Sequence, residues 1–347
     1  MLNHTLNRAA HSLCLTFSIF TSLLSWAETS VVETPVKVIP LASPLDQPDA
    51  ELSGLTWCGD KLILLPQYPE RFSDDGNSYF YYLERQQIEH FLDGKDGSPL
   101  LAKPIQLNEK DLRKAVSIFD GFEGITCKGN QVWLSIEALT LLGSYQSFVV
   151  PAAISFGQSA TIDIDQENLV FLSSQSGMRN IGDEAILNSQ LNKLDGVIAL
   201  HEVNDKRAVK APKARHISNT DNTITEIDFP NLPFRITDAS TIDADNRFWV
   251  INYKYSGDKF SRKAEDLLTE QHGKSQSHRK YYNVERLIEL QLNETTISLT
   301  NSKPIPLKML DVEGRNWEGL VRFGTQGFLI ATDKHPATIL GFVPFSE

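Results

Sequence analysis

Long apolar runs are almost absent from this 347-residue chain once its first 27 residues are set aside. No later stretch approaches the ~20 residues a membrane-crossing helix needs. Basic residues are in the minority, 33 Lys and Arg against 44 Asp and Glu, which argues against a nonspecific grip on DNA, RNA or anionic lipid. Sustained helical periodicity is rare, so an all-α fold is excluded. Catalytic signatures are missing as well: there is no G-x-S-x-G elbow, H-E-x-x-H helix, P-loop or dinucleotide fingerprint. "DIDQEN" at Asp163 and "DADNRF" at Asp243 lack the glycine and terminal Glu of a calcium loop, and read as turns.

Cysteine is scarce too, with only three residues, and their placement is informative. Cys14 falls in the apolar core of an expected export signal, residues 1–27: one Arg and no acid, the run "LCLTFSIFTSLL", then "SWA" with small residues where a signal peptidase reads. Leu13 before Cys14 argues against lipoprotein-type cleavage. The mature chain would begin near Glu28, in the periplasm or outside the cell. Cys58 and Cys127 remain there, and an oxidising compartment permits either a disulfide between them or two separate buried thiols.

Short runs rich in Val, Ile, Leu, Phe, Trp and Tyr recur between Gly, Asn and Asp turns, the pattern of an all-β chain. Five segments align as hairpins, starting at Leu52, Phe122, Asp183, Thr237 and Trp317. Their spacing of 54 to 80 residues suits four-stranded units, and a repeat of that length predicts a single β-propeller over residues 28–347. Five blades are expected, with room for a sixth in the long connections. The last segment holds only three strands, so "VVETPVKVIPL", Val31 to Leu41, is expected to supply the fourth and close the ring. "SGDKFSRKAEDLLTEQHGKSQSHRKYYN", Ser256 to Asn283, reads as a charged insertion with a short helix.

The first strand of each blade lines the central channel, so equivalent positions form a ring. Glu123, Glu184, Asp238 and Glu318 occupy one such position, with Ser53 as the non-acidic fifth member. A second ring follows one hairpin later: Glu137, Glu202 and Asp333, with Gln67 and Asn252. Carboxylates crowded on one axis need neutralising, most simply by a divalent cation such as Ca²⁺, otherwise by Arg or Lys or by raised pKa values. Two readings stand side by side: a metal or substrate site, or a structural clasp in which the acid accepts backbone N–H bonds from the next blade. His201 and His335 lie beside second-ring acids and are candidates for acid–base chemistry. Arg179 and Arg315 precede ring acids by a few residues, which suits either ion pairing or anion capture.

"FEGIT" followed by "VWLSIE", "RNIGDEAI" followed by "DGVIALHE", "ITDASTIDADNRFWVIN" and "NWEGLVRFGTQGFLIATDKHP" together resemble the repeat signatures of the phytase-like domain family, called "esterase-like activity of phytase". The resemblance runs from about Ser53 to Pro344. It implies an exported β-propeller that hydrolyses a small-molecule ester or phosphoester. The alternative is a non-catalytic propeller that binds a ligand or another protein.

Overall fold

In a computed structural model, the described residues are 31–347 apart from 74–75, 110, 117, 141–143, 259–263 and 346–347. The expected leader, residues 1–27, lies outside them. Each of the five aligned segments forms its hairpin, and each hairpin opens a blade.

Blade 1 runs outward as Leu52–Cys58, Lys61–Pro66, Ser78–Glu84 and Lys103–Asn108. Blade 2 follows with Ile118–Lys128, Gln131–Leu139, Tyr145–Phe156 and Ala160–Ile164. Blade 3 is Asp183–Leu191, Leu194–His201, Lys213–Ser218 and Ile224–Asp228, and blade 4 is Arg235–Ala239, Arg247–Lys254, Val284–Leu292 and Ile297–Leu299. Trp317–Phe323, Gly327–Thr332 and Leu340–Pro344 make three strands of blade 5, and the N-terminal strand Lys37–Ile39 completes it, pairing antiparallel with Leu340–Pro344. Each innermost strand contacts the next, and that of blade 5 contacts that of blade 1, so the ring closes at five.

The apolar runs follow from this geometry. Alternate residues of a strand point to opposite faces, and both faces of a blade are covered by neighbours. In Lys61–Pro66, Ile63 and Leu65 pack toward blade 2 while Leu62 and Leu64 pack toward blade 5. The buried apolar side chains accordingly fall into five clusters, one at each blade junction. Trp133 fills the junction of blades 2 and 3, and Trp249 and Trp317 that of blades 4 and 5.

Two features go beyond the sequence reading. The outer strands Lys103–Asn108 and Ala160–Ile164 pair in parallel, merging blades 1 and 2 into one sheet and covering two edges that would otherwise be open. At the inner ends of the same blades, Cys58 and Cys127 form a disulfide, with Cα atoms 5.5 Å apart. Of the insertion in blade 4, Leu267–His272 and Gln276–Lys280 are helical.

Candidate functional site

All five blades carry an irregularity in the first hairpin at the repeat position itself. Leu52 pairs with Pro66 and Gly54 with Leu65, so Ser53 is an extra residue on its strand. Glu123, Glu184 and Glu318 are extra in the same way. Such a β-bulge breaks the alternation of side chains and re-aims the inserted one. The small residue that follows is set by close approach of the neighbouring blade. A Cβ on Gly124 would lie 2.2 Å from the Glu184 carbonyl oxygen, and one on Gly319 would lie 2.8 Å from Leu55 Cγ. Glu-Gly thus recurs because the bulge directs a carboxylate inward where only glycine lets the next strand pass.

A cavity of about 670 Å³ opens where these bulges meet, and every blade contributes to its wall. Glu123, Glu184 and Glu318 of the first ring line it, together with Glu137, Glu202 and Asp333 of the second. His335 stands exposed at its edge, its backbone N–H donating to Asp333 Oδ1 at 2.7 Å. Six of the seven expected carboxylates and one of the two histidines therefore share one space.

Asp238 is the exception: it does not line the cavity, contrary to the expectation from the repeat. Its carboxylate is buried and accepts the backbone N–H of Ala239 (2.8 Å), of Leu320 in blade 5 (2.6 Å) and of Leu55 in blade 1. This is the clasp. The reason is local: the irregularity in blade 4 spans two residues, Thr237 and Asp238, so Asp238 is set differently from its counterparts. His201 is also absent from the cavity wall. It is buried behind Glu202, with Nδ1 3.9 Å from Asp183 Oδ2, an oxygen that already accepts from Arg215. Asn252 of the second ring accepts from Arg286 Nε at 2.8 Å instead of facing the cavity. Arg315 pairs with the buried Glu285, not with a ring acid, while Arg179 makes no ion pair among the described residues.

Crowding and burial set the electrostatics. Burial pushes the Glu123 carboxyl up to about 7; Gln67 Nε2, donating at 3.0 and 3.3 Å, opposes this, and Asp120, Glu202 and Asp333 reinforce it. Burial also raises Glu137, Glu184 and Glu318 well above the usual carboxylate range, and the neighbouring negative charges raise each further. Glu202 and Asp333 are raised by the same cause, with Arg235 pulling Glu202 back and Asn316 and the His335 N–H pulling Asp333 back.

Three groups in and around the cavity were not singled out by the repeat. Arg235 enters the wall from the first strand of blade 4, donates to Glu202, and donates to Asp258 at 2.9 and 3.1 Å. Although burial works against it, those two carboxylates hold the guanidinium charged. Its signal in the sequence is a lone Arg inside the apolar run "LPFRIT". Glu51, buried just before Ser53 with φ of +49°, holds Arg71 (2.8 Å) and the cavity residue Lys334 (3.3 Å). Tyr68, Tyr253 and Tyr255 supply the aromatic part of the wall.

Among the described residues, no three His, Cys, Asp or Glu side chains are drawn together as a finished metal site. The donor chemistry nevertheless suits a hard cation. The wall is rich in carboxylate oxygen, and Glu137 Oε1 and Glu202 Oε2 are buried without a hydrogen-bond partner.

No family model and no curated protein sequence matches the chain. Solved structures with similar architecture include the GH43_1 enzyme from Xanthomonas citri complexed with xylotriose, 8% identical over 90% of this chain and 91% of that one, with a TM-score of 0.47. An exo-1,5-alpha-L-arabinanase from a bovine ruminal metagenomic library is 8% identical over 87% and 95%, with a TM-score of 0.47. A xylan beta-1,4-xylosidase from Bacillus halodurans C-125 is 8% identical over 84% of this chain, with a TM-score of 0.44, and this chain spans half its length.

Proposed function

We propose that the protein is an exported propeller of the phytase-like kind, which holds a divalent cation in the acidic cavity and hydrolyses an ester or phosphoester bond there. One observation carries this reading: seven carboxylates, the six of the two rings and Glu313, line one cavity that two cationic side chains, Arg235 and Lys334, also line. Arg235 is already shared between Glu202 and Asp258. Burial first, and the neighbouring carboxylates after it, raise the proton affinity of Glu123, Glu137, Glu184 and Glu318, and a bound cation would offset both. The disulfide supports export, because such bonds persist in oxidising compartments.

In this reading Glu123, Glu137, Glu184, Glu202, Glu318 and Asp333 hold the ion, with Ca²⁺ the best match to an all-oxygen donor set. When bound, the ion polarises the ester and activates water. Gln67 fixes the Glu123 carboxylate by donating to both its oxygens. Arg235, steered by Asp258, offers a fixed positive charge to an anionic substrate group. His335, at the open edge, is placed to take or give the proton of the leaving group.

The test is elemental analysis of the purified chain from Glu28, beside its activity on p-nitrophenyl butyrate and p-nitrophenyl phosphate with Ca²⁺ or with chelator. Retained divalent metal and chelator-sensitive turnover, both lost in Glu123→Gln and Glu318→Gln, are expected. Metal without turnover would leave the non-catalytic binding propeller. Neither metal nor turnover would end the proposal.

A further inference from the structure

A second cavity, of about 460 Å³, lies against blade 4, well within the size range of small-molecule sites. Its walls come from three places. The insertion supplies the short helix Leu267–His272 and the turn after it, the third strand of blade 4 supplies Val284, and the N-terminal segment supplies Val31 and Val32. The N-terminal wall is fixed to the insertion. Val31 forms a parallel bridge with Ser275, and Glu33 accepts from Ser277 Oγ at 2.6 Å. Leu268 and Val284 are buried, and with Val31 and Pro306 they supply apolar surface to the wall.

The charged groups of its wall are of one sign. Among the described residues no carboxylate lines this cavity, whereas His272, Lys274, Arg286 and Lys303 do. Arg286 is already engaged, donating to both oxygens of Asp266 at 3.0 and 2.9 Å and to Asn252 Oδ1 at 2.8 Å. The buried His278, which also faces the cavity, is hydrogen-bonded at both ring nitrogens, to Ser275 Oγ (2.6 Å) and to the Glu285 backbone (3.1 Å). Burial pushes its pKa down to about 4, so it is neutral. Lys274 and Lys303 differ. Neither ammonium has an ion-pair partner among the described residues. With Arg286 balanced by Asp266, and the Glu33 carboxylate held against Ser277, the two lysines still leave the described charges around the cavity net positive in a protein of formal net charge −11.

We propose that this flank cavity binds an amphipathic anion, a carboxylate on a hydrocarbon tail, with Lys274 and Lys303 at the head and Val31, Leu268 and Val284 around the tail. Charge complementarity selects the anion, and the apolar wall selects the tail over a bare inorganic ion. The site is separate from the acidic cavity and shares no lining residue with it.

Titration calorimetry of the full mature chain with octanoate tests this, with acetate and octanol as probes carrying only the charge or only the tail. Saturable binding of octanoate at one site, and of neither other probe, is expected. The Lys274→Glu, Lys303→Glu double variant changes two exposed side chains and should weaken binding about tenfold or more. Glu318→Gln should leave it unchanged. The proposal is overturned if octanol binds as well as octanoate, if the double variant retains full affinity, or if Glu318→Gln abolishes binding and so places the anion in the acidic cavity. These outcomes are read independently of any hydrolysis.

Discussion

The two ends of the inner strands are built from different chemistry. At one end the chain bulges and turns carboxylates into the channel, and beside them Glu137 Oε1 and Glu202 Oε2 are left buried without hydrogen-bond partners. At the other it reverses in tight glycine turns, with Gly59 and Gly129 at φ of +65° and +66°, and a disulfide ties blade 1 to blade 2. The contrast shows where this protein accepts instability and where it compensates. Sites that concentrate like charge lower the stability of the folded state, and the surrounding frame has to offset that.

The sharpest way to test the contrast is to remove the frame. Cys58→Ser with Cys127→Ser opens a closure spanning 69 residues, and chain entropy sets the cost at about 4 kcal/mol. Urea unfolding of the cation-free protein should show it.

A smaller effect comes from the acidic end through pH. Glu123 is raised from an ordinary 4.5 to about 7 in the folded protein, so protonation favours folding. Its contribution is fully present below the unfolded value and is lost as pH rises through about 7. Glu123 alone should cost the cation-free protein about 3 kcal/mol between pH 5 and pH 8, taking 1.36 kcal/mol per pKa unit, and Glu137, Glu184 and Glu318, raised in the same direction, act with the same sign. Ca²⁺ should flatten that profile; a flat profile without the ion would break the comparison.

The smallest effect is expected from Glu318→Gln. It keeps the shape of the side chain but removes one of the facing charges, and should stabilise the cation-free protein at pH 8 by about 1 kcal/mol. A loss of stability would mean that Glu318 serves the frame, as Asp238 does.

Much of this was legible in the sequence because propeller hairpins repeat. The five hairpins, the closing strand from Val31 to Leu41 and the inward-facing Glu123, Glu184 and Glu318 all follow from equivalent spacing. The misplacements come where equivalence fails. Asp238 holds the same repeat position as its Glu counterparts, yet a two-residue irregularity gives it a different direction, and one-dimensional spacing does not encode a bulge's width. Blade 1 lacks an acid at Ser53, while a buried acid sits two residues earlier at Glu51, outside the aligned repeat. Arg235 and Asp258 meet only in space, across a blade and its loop. The parallel pairing of Lys103–Asn108 with Ala160–Ile164 joins outer strands whose sequences carry no mark of their partner.

The pairing of Lys37–Ile39 with Leu340–Pro344 also bears on how the chain is made. Synthesis proceeds from the N-terminus, so the strand Lys37–Ile39 has no partner until Leu340–Pro344 has emerged. A polypeptide stopped short of Leu340 would present unsatisfied backbone on both sides of the gap, a target for proteases. The seam therefore closes only in molecules that carry both strands.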